Sequence, residues 1–396
     1  MIVLGVAGGI AAYKSVELLR LLTESGHDVT VVPTAAALQF VGAPTWAALS
    51  GKPVHTDVWT GAHDVPHVRL GQTADLVVVA PATADLLARA AHGQADDLLT
   101  STLLTAQCPV VYAPAMHTEM WQHPATRANV AALRSYGAVV LEPATGRLTG
   151  ADSGPGRLPE PAELAATAAS VLARGAGAPD LRGRRVVVTA GGTREHLDPV
   201  RFLGNRSSGR QGVALARAAA ARGADVTLVA AHLSVAPPAG AKVVPVTSAA
   251  DLREQTLLAS AGADAVVMAA AVADFRPAAR QDSKIKKGPG EPTSLDLVRT
   301  ADVLAELSAL DAGSRACVVV GFAAETDDVL AHGRAKLVAK GCDLLVVNRV
   351  GEGVGFEVDR NAATILGADG VEVEVADTTK DLLAHAVWDA VVTRLG

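Results

Sequence analysis

Short apolar runs recur along the chain and alternate with segments whose apolar residues follow a helical period. In the first half these runs are Ile2–Val6, Asp28–Val32, Leu76–Ala80, Val110–Ala113 and Ala138–Leu141. Between them, Ile10–Ser25 and Ala125–Tyr136 carry helical spacing, the former through Val16, Leu18, Leu19, Leu21 and Leu22. Runs without polar alternation predict strands buried on both faces, and their alternation with helices predicts a parallel sheet. The second half repeats the theme, with strands expected at Arg185–Ala190, Val226–Ala230, Ala265–Ala269, Cys317–Phe322 and Leu344–Asn348. Helices are expected there at Gly209–Gly223, Ala249–Ala261, Ala301–Leu310 and Asp327–Lys340. Two alternating runs, Ala363–Leu366 and Val371–Val375, flank Asp369-Gly370 and predict a small β-hairpin. Residues 146–160, rich in Gly and Pro, read as a flap without regular structure, and 172–184 as a linker. The expectation is an α/β chain of two doubly wound parallel-sheet domains, residues 1–171 and 185–396, the second carrying the hairpin.

Composition narrows the class. Of 396 residues, 49% are apolar but only 3% aromatic, so Ala, Val, Leu and Gly carry the burial. A net charge of −6 argues against a general nucleic-acid binder. Three widely spaced cysteines, Cys108, Cys317 and Cys342, and an apolar start without a basic flank point to a reducing cytoplasm. No apolar stretch approaches the roughly 20 residues of a membrane span.

Candidate chemistry falls at the predicted strand ends. In open parallel sheets, ligands bind outside the carboxyl ends of the strands. The first half places four loops there: Ala7–Ile10, Pro33–Ala37, Ala80–Asp85 (APATAD) and Ala113–His117 (APAMH). Their small residues and hydroxyls permit close backbone approach by a flat ring, although tight turn packing would account for any one of them alone. His67, in HVRLGQTAD, would approach the same edge and suits proton transfer or carboxylate binding. In the second half, Gly191–Gly212 (GGTREHLDPVRFLGNRSSGRQG) links a strand to a helix. Glycines at such a junction expose N–H groups to an anion. Arg194, Glu195, Asp198, Arg201, Asn205, Arg206, Ser207 and Ser208 exceed what a turn needs. The loop reads as a site for a phosphorylated, carboxylate-bearing substrate. The His and Cys spacings match no metal site, and no metal ligand is assigned.

These motifs carry a resemblance. GGIAAYKS, HVRLGQTADLVVVAPATAD, ADDLLTSTLL, PAMHTEMW and GPGR, in that order, are similar to the flavin-dependent phosphopantothenoylcysteine decarboxylases. TAGGTRE, DPVRFLGNRSSG, AAAVADF, KIKK, GFAAET and ARAKLVAKGCDLLVVN resemble phosphopantothenate–cysteine ligases. The order is that of the bifunctional coenzyme A biosynthesis family, and the match covers nearly the whole chain. The resemblance implies a flavodoxin-like first half and a Rossmann-like second half. It implies FMN, Mg²⁺ and CTP as co-substrate, with 4′-phosphopantothenate and cysteine as the other small-molecule substrates. It implies a cytoplasmic homo-oligomer, up to a dodecamer, with neither nucleic acid nor membrane as partner.

The same resemblance assigns residues. Gly8, Gly9, Ile10, Thr34, Ala82, Thr83, Ala84 and Asp85 would hold the flavin. His67 matches the active-site histidine. His117, beside the substrate-binding Met116, stands where the family usually has the Asn of PAMN, and Asp85 also replaces a usual Asn. Gly150 stands where ACGDxGxGR usually supplies a Cys as proton donor. We expect His117 to compensate for that thiol, with Asp152 or water as other donors. The competing reading is a working ligase fused to a regulatory or inactive flavin-binding half. In the ligase half, Asn205 would hold the activated acyl group and Lys286 would act in catalysis. Gly191, Gly192, Ser207, Ser208, Gly209, Asp274, Lys286, Phe322, Lys336 and Lys340 would bind the nucleotide, and Arg206 and Arg210 the substrate phosphate. Lys284 and Lys287 could trade places with Lys286. A dinucleotide-dependent reductase is the other enzyme class considered, but GGTRE lacks the G-x-G-x-x-G spacing.

Overall fold

The apolar runs become strands covered on both faces. The structure is a computed structural model describing residues 1–55, 65–148, 152–175, 179–286, 294–311, 313–325, 328–349 and 360–396. It divides into two compact units, Met1–Asp180 with Ala221–Gly223, and Leu181–Ala220 with Ala224–Gly396.

The first unit runs β1 (Ile2–Val6), α1 (Ala12–Glu24), β2 (Val29–Pro33), α2 (Ala43–Ser50), α3 (Pro66–Thr73), β3 (Leu76–Ala82) and α4 (Ala84–Ala91). It continues with α5 (Leu98–Thr105), β4 (Val110–Pro114), α6 (Thr118–Gln122), α7 (Pro124–Ser135), β5 (Val139–Val140), β6 (Ala144–Arg147), β7 (Ser153–Arg157) and α8 (Pro161–Arg174). Strand order is β2-β1-β3-β4-β5, parallel throughout, which is the flavodoxin-like winding. Along β1, Ile2, Leu4 and Val6 join a core with Leu18, Leu22, Trp46 and Leu164, while Val3 joins Leu86, Leu87, Leu98 and Trp121 on the other face. Burial on both sides explains the absence of polar alternation.

The flap expectation is corrected here. Ala144–Arg147 and Ser153–Arg157 form an antiparallel hairpin. Pro155 lacks an N–H and is tolerated because a two-stranded hairpin offers edge positions. Composition hid the strands because Gly and Pro mark turns far more often. Within the expected linker 172–184, α8 continues through Arg174 and Leu181 is fully buried.

The second unit runs β8 (Arg185–Gly191), β9 (Arg194–His196), β10 (Phe202–Gly204), α9 (Arg210–Ala221), β11 (Asp225–Ala231), β12 (Lys242–Val246), α10 (Ala249–Ser260) and β13 (Ala265–Met268). Then follow β14 (Phe275–Pro277), β15 (Leu297–Arg299), α11 (Val303–Ser308), β16 (Val318–Glu325), α12 (Val329–Lys340), β17 (Leu344–Arg349), β18 (Arg360–Gly367), β19 (Glu372–Thr379) and α13 (Lys380–Leu395). The eight-stranded order is β12-β11-β8-β13-β16-β17-β18-β19. Its first six strands are parallel, the doubly wound part. The hairpin is longer than expected and is no appendage. β18 pairs antiparallel with β17, so the hairpin forms one edge of the main sheet. Ala363 and Ile365 supply the reason, pointing into the core that holds Trp388 and Val387. The structure also adds β12, whose KVVPV run is half-exposed. No described helix is long and apolar enough to cross a membrane.

Candidate functional site

In the first unit the winding reverses between β1 and β3, so the loops that follow them lie side by side. The Ala7 N–H donates to the Pro81 carbonyl at 3.1 Å, and Ser15 Oγ donates to the Ala80 carbonyl at 2.6 Å. On the other side, Thr34 N–H donates to Val6 O at 2.9 Å and Thr34 Oγ1 accepts from Ala37 N–H at 3.2 Å. A Cβ on Gly8 would lie 2.3 Å from Ala36 Cβ, and one on Gly9 would face Thr83 Cγ2 at 3.5 Å. Gly8, Gly9, Thr34, Ala82 and Thr83 therefore converge on one crevice with little side-chain bulk. Thr83 caps α4, accepting from Leu86 N–H at 3.3 Å, which leaves that helix start beside the crevice. Ala84 is half-buried. Asp85 is exposed and paired to Arg89 at 3.0 Å, and the same guanidinium holds Asp96 and Asp97 at 2.8 Å each.

His67 sits in the first turn of α3, half-buried, with its Nδ1 enclosed and without a hydrogen-bond partner among the described residues. A buried polar atom left unsatisfied marks a place where a ligand or water belongs. Met116 and His117 follow β4. The β6–β7 hairpin docks directly on them: Met116 N–H donates to Gly156 O at 2.9 Å, and Thr118 Oγ1 donates to Pro155 O at 2.9 Å. This approach requires glycine, because a Cβ on Gly156 would stand 2.2 Å from Met116 O. His117 Nδ1 lies 3.5 Å from Glu119 Oε2. Asp152 is exposed just before β7, and Gly150 lies outside the described residues. Burial pushes the Cys342 thiol up to about 11 and raises that of Cys108 as well, and neither belongs to the hairpin. Low bulk, a helix start and an orphaned imidazole nitrogen fit a flat, phosphate-bearing cofactor such as a flavin mononucleotide.

In the second unit the Gly191–Gly212 segment is folded tightly against the carboxyl edge. Gly191 has φ +87°, and a Cβ there would fall 1.4 Å from Ala231 O, so no other residue fits. The loop is zipped to the segment after β13: Ala271 N–H donates to Gly191 O at 2.8 Å and Thr193 N–H to Ala271 O at 3.2 Å. Asn205 Nδ2 donates to Val272 O at 2.9 Å, which leaves its carboxamide oxygen for another partner. Ser207 Oγ accepts from Gly209 N–H at 3.3 Å at the start of α9. Ser208 O accepts from both the N–H and the hydroxyl of Ser234, each at 3.0 Å. Arg206 and Asp274 are exposed and Arg210 is half-buried. Arg194 stacks over Phe202 at 4.4 Å.

Three expected residues are already engaged. Phe322 is half-buried against the core that contains Trp388. Lys336 pairs with Glu325 at 2.5 Å, and Lys340 pairs with Asp302. Both lysines project from α12, the shared face their spacing implied. Lys284 and Lys286 are exposed, and Lys287 lies outside the described residues.

One residue gains a part that its type and position did not suggest. The Asp198 carboxylate is fully enclosed and accepts from Val200 N–H and Arg201 N–H at 2.7 Å each, from Arg201 Nη1 at 3.2 Å and from Ile285 N–H at 3.1 Å. Desolvation is the largest single influence and opposes ionisation. The N–H donors of Val200, Ile285 and Arg201, with the Arg201 charge, together outweigh it and hold the carboxyl below its ordinary range. His196 Nδ1 and His232 Nε2 are also enclosed without hydrogen-bond partners among the described residues, and His232 adopts φ +27°.

Residues 1–173 match the family described as Flavoprotein, and residues 181–395 match DNA/pantothenate metabolism flavoprotein C-terminal domain. The chain is 60% identical over 403 residues to the coenzyme A biosynthesis bifunctional protein CoaBC of Mycolicibacterium smegmatis, covering 100% of this chain and 97% of that one. It is 43% identical over 383 residues to the Bacillus subtilis protein of the same name, covering 96% and 93%. Among solved structures, the C-terminal domain of a CoaBC protein is 32% identical with TM-score 0.47, covering 55% of this chain and 98% of that one.

Proposed function

The chain belongs to the family of bifunctional coenzyme A biosynthesis proteins, and from that premise we infer two linked activities. The second half ligates 4′-phosphopantothenate to cysteine, and the flavoprotein first half decarboxylates the resulting phosphopantothenoylcysteine to 4′-phosphopantetheine. The observation that carries this reading is collinearity: a flavoprotein family over 1–173 followed by a pantothenate-metabolism family over 181–395.

We propose that Gly8, Gly9, Ile10, Thr34, Ala82, Thr83, Ala84 and Asp85 hold FMN. When bound, FMN supplies the two-electron chemistry at the substrate's thiol-bearing end. The protein's own share is binding and proton handling. His67 presents its unpartnered nitrogen to substrate, and Met116 and His117 hold the carboxylate that leaves as CO₂. His117 lies between Met116 and Thr118, on which the β6–β7 hairpin docks, with Glu119 placed to orient its ring. That position supports His117 as donor of the proton that completes the product.

In the ligase half we propose that CTP binds with its phosphates at Ser207, Ser208 and Gly209, where the start of α9 favours an anion. Gly191 and Gly192 admit the nucleotide, and Asp274 and Phe322 contact it. A carboxylate oxygen of 4′-phosphopantothenate attacks the α-phosphorus and pyrophosphate leaves. The amine of cysteine then attacks the acyl carbon and CMP leaves. Asn205 holds the acyl group, and Arg206 and Arg210 face the substrate's phosphate. Lys286, Lys336 and Lys340 neutralise charge on the transferring and leaving phosphates, and Mg²⁺ enters with the triphosphate. Triphosphate would replace Glu325 and Asp302 as partner of the last two lysines.

Pyrophosphate release tests the nucleotide assignment. Release from CTP is expected only when 4′-phosphopantothenate is present. Equal release from ATP, or release without that substrate, removes it.

A further inference from the structure

Residues 278–286 sit almost wholly outside the core. All but Ile285 are exposed, so hydrophobic burial cannot fix where Lys284 and Lys286 stand. Hydrogen bonds do so instead. Gln281 N–H donates to Leu197 O at 2.8 Å, Ile285 N–H donates to Asp198 Oδ2 at 3.1 Å, and Arg201 Nη1 donates to Ile285 O at 3.1 Å. Asp198 is the centre of this arrangement. One of its oxygens closes the local turn through Val200 and Arg201, while the other reaches across to Ile285. A carboxylate needed only for its own turn would be satisfied by the first pair. Its full enclosure and its ionised state make it a rigid acceptor.

We infer that Asp198 is a positioning residue for the ligation reaction: by fixing the backbone between Lys284 and Lys286, it sets where the Lys286 ammonium meets the nucleotide. The inference deepens the proposed ligase reading and rests on the assignment of Lys286. Asp198 touches no substrate in this account and acts through the lysine segment alone. An amide in its place keeps the volume, removes the charge and puts a donor where an acceptor was.

The test is a double-mutant cycle on pyrophosphate release from CTP and 4′-phosphopantothenate, using the full chain. Asp198→Asn should lower kcat by about tenfold to a hundredfold, as expected for a misplaced catalytic group. Lys286→Ala should be impaired on its own, and adding Asp198→Asn to it should cost little more, because both act through one ammonium. Losses that multiply in the double variant, or an unimpaired Asp198→Asn, overturn the inference. An unimpaired Lys286→Ala removes the assignment on which it stands, and a wild type that releases no pyrophosphate refutes the ligase reading instead. If Asp198→Asn fails to fold, amide hydrogen exchange of the wild type decides. Protection at Ile285 is expected, and exchange as fast as at the exposed residues beside it overturns the inference.

Discussion

At Gly191 the backbone turns from β8 into the nucleotide loop with φ +87°, hard against Ala231 O. Gly191→Ala should destabilise the second unit by about 2–4 kcal/mol and abolish CTP binding, measured by thermal unfolding and calorimetry. Unchanged affinity would mean that the loop does not admit the nucleotide. His117 offers a sharper test of chemistry. Asn at this position would still bind a carboxylate but cannot donate the last proton as an imidazolium, so His117→Asn should release CO₂ while forming 4′-phosphopantetheine poorly. Equal turnover in both measurements would remove His117 as proton donor. Asp198 gives a pH signature as well. Its folded pKa lies below the unfolded value, so its contribution to stability is present above about pH 4 and is lost as pH falls through the folded value. The stability gap between wild type and Asp198→Asn should therefore shrink on acidification, and a gap independent of pH contradicts the assignment. The sequence names Asp198 only as one polar residue among eight in its loop. Nothing in its spacing announces full enclosure or a bond to Ile285, because both depend on chain more than eighty residues away.

Elements were legible in proportion to how strongly burial shaped them. β1, β3, β8 and β13 are covered on both faces, so their apolar runs fall close to their observed bounds. The β6–β7 hairpin was illegible for the opposite reason. Its glycines serve close approach to Met116 and Thr118, a tertiary demand that leaves no periodic trace. A Cβ at position 156 would break that approach, so Gly156→Ala should slow CO₂ release about tenfold while leaving pyrophosphate release unchanged. Parallel loss of both activities would show that the hairpin serves general stability instead. The β18–β19 hairpin was legible as a turn and two strands, but its place at the edge of the sheet depends on pairing with β17.

For the whole molecule, two families in series make one account, with each unit gathering its polar loops at the carboxyl end of its own sheet. Ile10 in the proposed flavin loop is 74% exposed and Tyr13 beside it 61%, and we propose that another copy of the chain covers Tyr13. Tyr13→Glu should lower the mass in solution and weaken FMN retention together, and loss of FMN at unchanged mass would separate the two. The central claim is that both halves work despite Gly150. Its most direct test supplies 4′-phosphopantothenate, cysteine, CTP and Mg²⁺ to the purified full chain and follows pyrophosphate and CO₂ separately. The account predicts both, with one CO₂ for each pyrophosphate at completion. Pyrophosphate without CO₂ would contradict it and leave the flavoprotein half as a regulatory or inactive partner of a working ligase.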